Sequence, residues 1–222
     1  MSTNKTKFTF DEYRKIFEGT VAKYENEPFF AKIVKDIGRP AFPAARREVA
    51  LVGIRHAGKI INHRGDTADD IISIVRLDSD NLPMVREYQG TTEPGNFAEV
   101  INPDGDFEMC PGFYYFGFGL HHGKNPCLVQ ACAVRGERAH KHEDFNWTDN
   151  TTWTITDGSL HIHAGIRDVN HVGNWSAGCQ VVAQGWEGAP WKEFYRYCEL
   201  AENKPIPYVL VNETDIGGFL GG

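Results

Sequence analysis

The residue types able to do chemistry converge on one stretch of the chain. Ser159-Leu-His-Ile-His-Ala-Gly165 is followed, after a short loop, by Val172-Gly-Asn-Trp-Ser-Ala-Gly-Cys-Gln-Val-Val182. Leu160 and Ile162 alternate with His161 and His163, so a strand here sets both imidazoles on one face and turns the apolar residues to a core. Gly178 permits a tight turn before Cys179 and removes a side chain that would obstruct approach to the sulfur. An imidazole titrates near neutrality and is suited to take a thiol proton, and an adjacent imidazolium lowers a thiol pKa. Backbone N–H groups around Gly178 and Cys179 are the natural oxyanion donors, with Ser176 fixing the loop by local hydrogen bonding. The chemistry expected is covalent attack by Cys179 on an amide carbonyl, with His163 as base and no cofactor.

The pattern His-x-Gly, a spacer, then Ser-x-Gly-Cys resembles the catalytic motif of the L,D-transpeptidases, the YkuD-type fold. The resemblance is specific over residues 159–182 and looser over 110–212. Twelve residues, Ala164 to Trp175, separate His163 from Ser176, slightly fewer than in that family. It implies a mainly β, YkuD-like antiparallel β sandwich with peripheral helices, Cys179 as nucleophile and His163 as base. A backbone carbonyl near the base commonly orients the imidazole there. The implied substrate is an L,D peptide bond in a peptidoglycan stem peptide, cut or exchanged through a thioester. Water as acceptor gives a carboxypeptidase or endopeptidase; an amine gives a crosslink. Two positions depart from the family: Ala177 stands where it has a histidine, and Gln180-Val-Val182 lacks the arginine often found after the cysteine. His161 and His171 are candidates for the first vacancy, and Trp175 and Tyr88 for lining substrate.

Two other functions stay open. A non-catalytic binding or structural module could keep the fold without the reaction. A zinc peptidase could draw on His140-Lys-His142 and His161-Ile-His163, completed by Glu137, Glu143, Asp144 or Asp168. No HExxH stands in the sequence, and no metal ligand is assigned. His121-His122-Gly123, after a glycine-punctuated run, reads first as surface histidines at a turn, with His121 or His122 lining the same cleft as the alternative. Of the five cysteines, Cys198 reads as core, and Cys110, Cys127 and Cys132 show no pairing pattern.

The elements that must position these residues are mostly short strands. Candidates are 49–55, 71–77, 84–88, 114–118, 128–134, 153–155, 160–163 and 208–211, with another beginning at Gln180. Turn chemistry separates them at Asp80-Asn81, Pro94-Gly95, Pro103-Asp-Gly105 and Asp157-Gly158. Residues 1–40 form an N-terminal helical segment ahead of a β catalytic domain over 41–222. Its first helix starts in a capping box, Thr9-Phe-Asp-Glu12, with Phe8 and Tyr13 as a hydrophobic staple; the second runs from Pro28 to Gly38. A helix opened by Pro190 carries Trp191, Phe194, Tyr195, Cys198 and Ala201 on one face.

The chain has 222 residues, enough for one sizeable core. A net charge of −7 argues against non-specific nucleic-acid binding, which needs a basic surface. Arg46, Arg47, Arg55, His56, Lys59, His63 and Arg64 sit close together and read as a solvated rim. No signal peptide and no membrane-spanning run is read, so the sequence predicts a cytoplasmic protein, or one delivered to the wall by a phage or a non-classical route. The oligomeric state is left open.

Overall fold

A computed structural model describes residues 6–56, 68–95, 105–139, 153–165 and 172–221. Eleven strands and four α-helices are described: α1 Phe10–Tyr24, α2 Pro28–Asp36, β1 Val49–Arg55, β2 Asp70–Leu77, β3 Pro83–Thr91, β4 Asp106–Met109, β5 Gly112–His121, β6 Asn125–Gln130, β7 Val134–Ala139, β8 Trp153–Ile155, β9 His161–Ala164, β10 Gln180–Val182, α3 Ala189–Glu199, β11 Ile206–Asn212 and α4 Glu213–Leu220.

Eight strands close into a barrel in the order β1-β11-β5-β6-β9-β10-β3-β2, and β4, β7 and β8 form a separate three-stranded sheet. The expected mainly β architecture with peripheral helices is present, and the larger sheet is a closed barrel. Neighbours are antiparallel except β1 with β11 and β9 with β10, which run parallel. The parallel pair β9–β10 joins the two halves of the motif, setting Gln180 beside Ile162 and Val181 beside His163.

The core follows the alternation in the sequence. Leu160, Ile162 and Val182 are buried with Leu128, Phe116 and Tyr208. The capping box of α1 forms as read: Thr9 accepts from the Glu12 backbone N–H, and the Glu12 side chain accepts from the Thr9 N–H. Phe8 packs edge-on against Tyr13 at 5.7 Å between centroids. Tyr13, Ile16, Phe17 and Phe30 share one cluster with barrel residues, so the N-terminal helices bury their apolar faces against the barrel.

Three elements escaped the sequence reading. β4 and β7 carry alternating charge and pair with each other, and α4 follows β11 directly. The strand expected over 128–134 is split, with a turn at 131–133 between β6 and β7. Cys132 therefore lies in a turn and not on a strand face. The basic rim also reads differently, because Arg55 is 1% exposed. It donates to the carbonyls of Thr92 and Met109, each at 2.9 Å, and pairs with Glu108 at 2.9 Å and Glu93 at 3.5 Å. Lys59, His63 and Arg64 lie outside the described residues.

Candidate active site

Cys179 and His163 come to the same side of two neighbouring strands. His161 and His163 project from one face of β9, and Cys179, one residue before β10, stands level with His161. The His161 backbone N–H lies near the Cys179 sulfur and favours its thiolate. No hydrogen bond joins the thiol to His163, whose Nε2 is buried without a hydrogen-bond partner among the described residues.

The loop carrying Cys179 is held from several sides. Ser176 Oγ donates to the Cys179 carbonyl at 2.8 Å and accepts from the Gly178 N–H at 3.2 Å. Ser176 thus fixes the loop as expected, but the Gly178 N–H is committed to it. The Ala177 carbonyl accepts from Phe107 of β4 at 3.0 Å, and the Ser176 carbonyl from Gly95 at 2.8 Å. Gly178 sits at φ +135°, and a Cβ there would meet the Phe107 carbonyl oxygen at 2.6 Å, so only glycine fits. On the opposite face of β10, fully buried Gln180 accepts from Tyr208 Oη at 2.8 Å and donates to the Thr92 carbonyl at 3.3 Å. That same carbonyl takes the Arg55 guanidinium, which ties the buried charge network to the residue after the thiol.

The histidine tautomers follow from their partners. A carbonyl only accepts, so His163 Nδ1, 2.8 Å from the Ala164 oxygen, carries the proton and leaves a lone pair on Nε2. His161 Nε2 likewise donates to the Gly158 carbonyl at 3.1 Å. Its Nδ1 then accepts from His121 Nδ1, 2.9 Å away. The His121 ring stacks on His163 with centroids 4.0 Å apart and planes at 24°, and Trp186 lies nearly parallel to His163 at 5.8 Å. His121 is a member of the site, in line with the lesser of its two readings as a cleft-lining residue, and Trp186 is one that the sequence reading missed. His121 arrives from the far end of β5, just before a turn in which His122 and Gly123 both have positive φ. The only signal for it was a histidine closing a strand that carries Gly117 and Gly119.

Electrostatically the resting pair is neutral. Burial pushes the His163 imidazole down to about 3, and the neighbouring His121 adds to the shift. Burial pushes the Cys179 thiol up to about 11, opposed by the His161 N–H. The expected imidazolium that would lower the thiol pKa is therefore absent at neutral pH, because both groups are desolvated together. Cys179 is partly buried as a residue, and its side chain packs against Ala68, Val172, Val181 and Ala183.

The remaining candidates are scattered. Trp175 is 40% exposed, and its ring lies over Gly165, where a Cβ would come within 3.0 Å. Tyr88 is held beneath α3 by Glu193 at 3.1 Å and by the Phe194 ring, and the cavities it borders, about 540 and 430 Å³, are lined by neither Cys179 nor His163. His171, with His140, His142, Glu143, Asp144 and Asp168, lies outside the described residues. Among the described residues no group of three or more His, Cys, Asp or Glu side chains is arranged to hold a metal ion, and no helix is long and apolar enough to cross a membrane.

No protein-family model matches the chain, and neither the curated proteins nor the solved structures contain a match.

Proposed function

We propose that the protein is a cysteine acyltransferase or peptidase acting on amide bonds, with Cys179 as nucleophile and His163 as general base. One observation carries the reading: His163 holds its proton on Nδ1 against the Ala164 carbonyl and presents an uncommitted Nε2 on the strand face that Cys179 shares. A carbonyl orienting the imidazole is also what the YkuD-type resemblance implies. The substrate class proposed on that resemblance is the L,D peptide bond of a peptidoglycan stem.

The step runs from a neutral pair. As sulfur attacks the carbonyl carbon, the thiol proton passes to His163 Nε2, and the oxygen takes the negative charge. The Cys179 N–H is the natural donor to that oxygen, since Gly178 already serves Ser176. Collapse breaks the C–N bond, Nε2 returns the proton to the leaving amine, and a thioester remains. An incoming amine or water then gives its proton to Nε2, attacks the thioester, and the thiol re-forms.

The test is incubation of the purified protein with muropeptides, followed by product analysis and intact mass. Product formation with a trapped acyl adduct on Cys179, both lost in Cys179→Ala, is the expected result. Equal product from Cys179→Ala would overturn the mechanism. The second reading, a non-catalytic module, is favoured by the missing thiol–imidazole hydrogen bond and predicts neither product nor adduct. The zinc alternative draws no support from the described residues, and a protein that loses activity to a chelator would restore it.

A further inference from the structure

A second feature lies away from Cys179, between the β2–β3 hairpin and α3. A cavity of about 670 Å³ is lined there by Arg47, Arg76, Lys192 and Arg196, with Asp78 and Glu193 as its carboxylates. Positive charge in such density is unexpected on a chain whose net charge is −7. Both carboxylates are already occupied. Asp78 accepts from the backbone N–H groups of Asp80 and Leu82, at 2.8 and 2.9 Å. Glu193 takes the Tyr88 hydroxyl at 3.1 Å and lies 3.6 Å from Arg86 Nε.

The cations are less evenly satisfied. Arg76 is only 6% exposed, yet among the described residues it has no carboxylate partner. Its guanidinium lies over the Tyr197 ring at 5.1 Å, and Nε donates to the Leu77 carbonyl at 3.3 Å. A buried guanidinium that lacks a counter-anion is costly, so its placement at the wall of a cavity needs a reason. Arg196, on the exposed face of α3, also has no ion-pair partner among the described residues. Arg47 and Lys192 have only rim partners, Glu202 at 3.3 Å and Glu187 at 2.7 Å. Arg47 is further held at φ +65°, a left-handed backbone that a long side chain seldom adopts; its N–H donates to the Leu77 carbonyl and its carbonyl accepts from Glu202.

We propose that this groove binds the phosphate group of a small organic ligand, with the Arg76 and Arg196 guanidinium groups on the phosphate and Arg47 and Lys192 at the rim. Guanidinium forks match phosphate oxygens in pairs, and three of them with an ammonium suit a dianion. The cavity exceeds what a bare anion fills and falls in the range of small-molecule sites. The proposal is independent of the reaction at Cys179.

The test is calorimetric titration of the full chain, in chloride buffer, with inorganic pyrophosphate, glucose 6-phosphate and succinate. Saturable binding of the two phosphorylated probes is expected, weakened by about tenfold or more in Arg196→Gln and Arg76→Met and unchanged in Lys32→Gln, which lies on α2. Arg196 is exposed, so its variant keeps the test valid if Arg76→Met fails to fold. Tighter binding of glucose 6-phosphate means that the rest of the cavity holds an organic moiety; tighter pyrophosphate means that bare phosphates are read, and the organic part of the proposal falls. Binding of succinate as strong as that of either phosphate, no saturable binding of any probe, or equal weakening in Lys32→Gln would overturn it.

Discussion

At the scale of single residues, the site is defined by which atoms are left uncommitted. His163 is read correctly from alternation as a strand histidine beside an apolar face, but its depth at the interface with His121 and Trp186 is a tertiary outcome. The neutral resting pair has a kinetic signature. With the Cys179 thiol at about 11, its alkylation by iodoacetamide should climb steadily from pH 7 to 10, with no plateau near neutrality. A titration midpoint below pH 8 at Cys179 would show a resting thiolate instead. Stability carries a second signature. A histidine whose folded pKa lies at about 3, below its unfolded value near 6.5, binds its proton first in the unfolded chain. Its contribution is full above the unfolded pKa and falls away as pH drops from about 6.5 toward 3, by roughly 1.4 kcal/mol per pH unit at most. Denaturant unfolding of wild type and His163→Gln across pH 4–7 isolates the effect, because Glu93, raised to about 7 by burial, titrates in both. The wild type should lose stability against the variant on acidification, and parallel curves would deny the buried neutral ring.

At the scale of elements, the loop before Cys179 depends on a partner the sequence did not reveal. β4 is only four residues, Asp106-Phe-Glu-Met109, too short for its alternation to stand out in the sequence, yet its Phe107 backbone both donates to Ala177 and excludes a side chain at 178. Gly178→Ala should therefore leave α1 and the barrel folded but displace Cys179, with loss of most activity and an altered alkylation rate. A variant with wild-type alkylation and turnover would show that the close approach does not matter. The first helix behaves oppositely, since its start is local. Thr9→Ala removes a cap formed within four residues and should cost about 1 kcal/mol in unfolding free energy without changing Cys179 reactivity.

At the scale of the molecule, one buried cation knits the barrel to the second sheet. Arg55 from β1 reaches Thr92 and Glu93 after β3 and Glu108 on β4, beneath the strand that follows Cys179. Burial raises the pKa of Glu108 and Asp70 even against the pull of that guanidinium. Arg55→Met leaves buried carboxylates without their counter-charge and should cost on the order of 3–5 kcal/mol. Adding Glu108→Gln should recover part of the loss, as measured by urea unfolding of the single and double variants. No recovery would mean that Arg55 acts through packing alone.

By itself the sequence determined the features written in neighbouring residues: the capped first helix, the alternating strands, the turns at Asn81 and Gly158, and the pairing of a strand histidine with a glycine-preceded cysteine. Each depends on dihedral preference or on periodicity, which a short window contains. Only the tertiary structure decided the barrel's closure, the arrival of His121 and Trp186 beside His163, the burial of Arg55, and the neutral state of the thiol and imidazole. Desolvation and ring stacking depend on what distant strands bring to a point in space, and no local pattern encodes that.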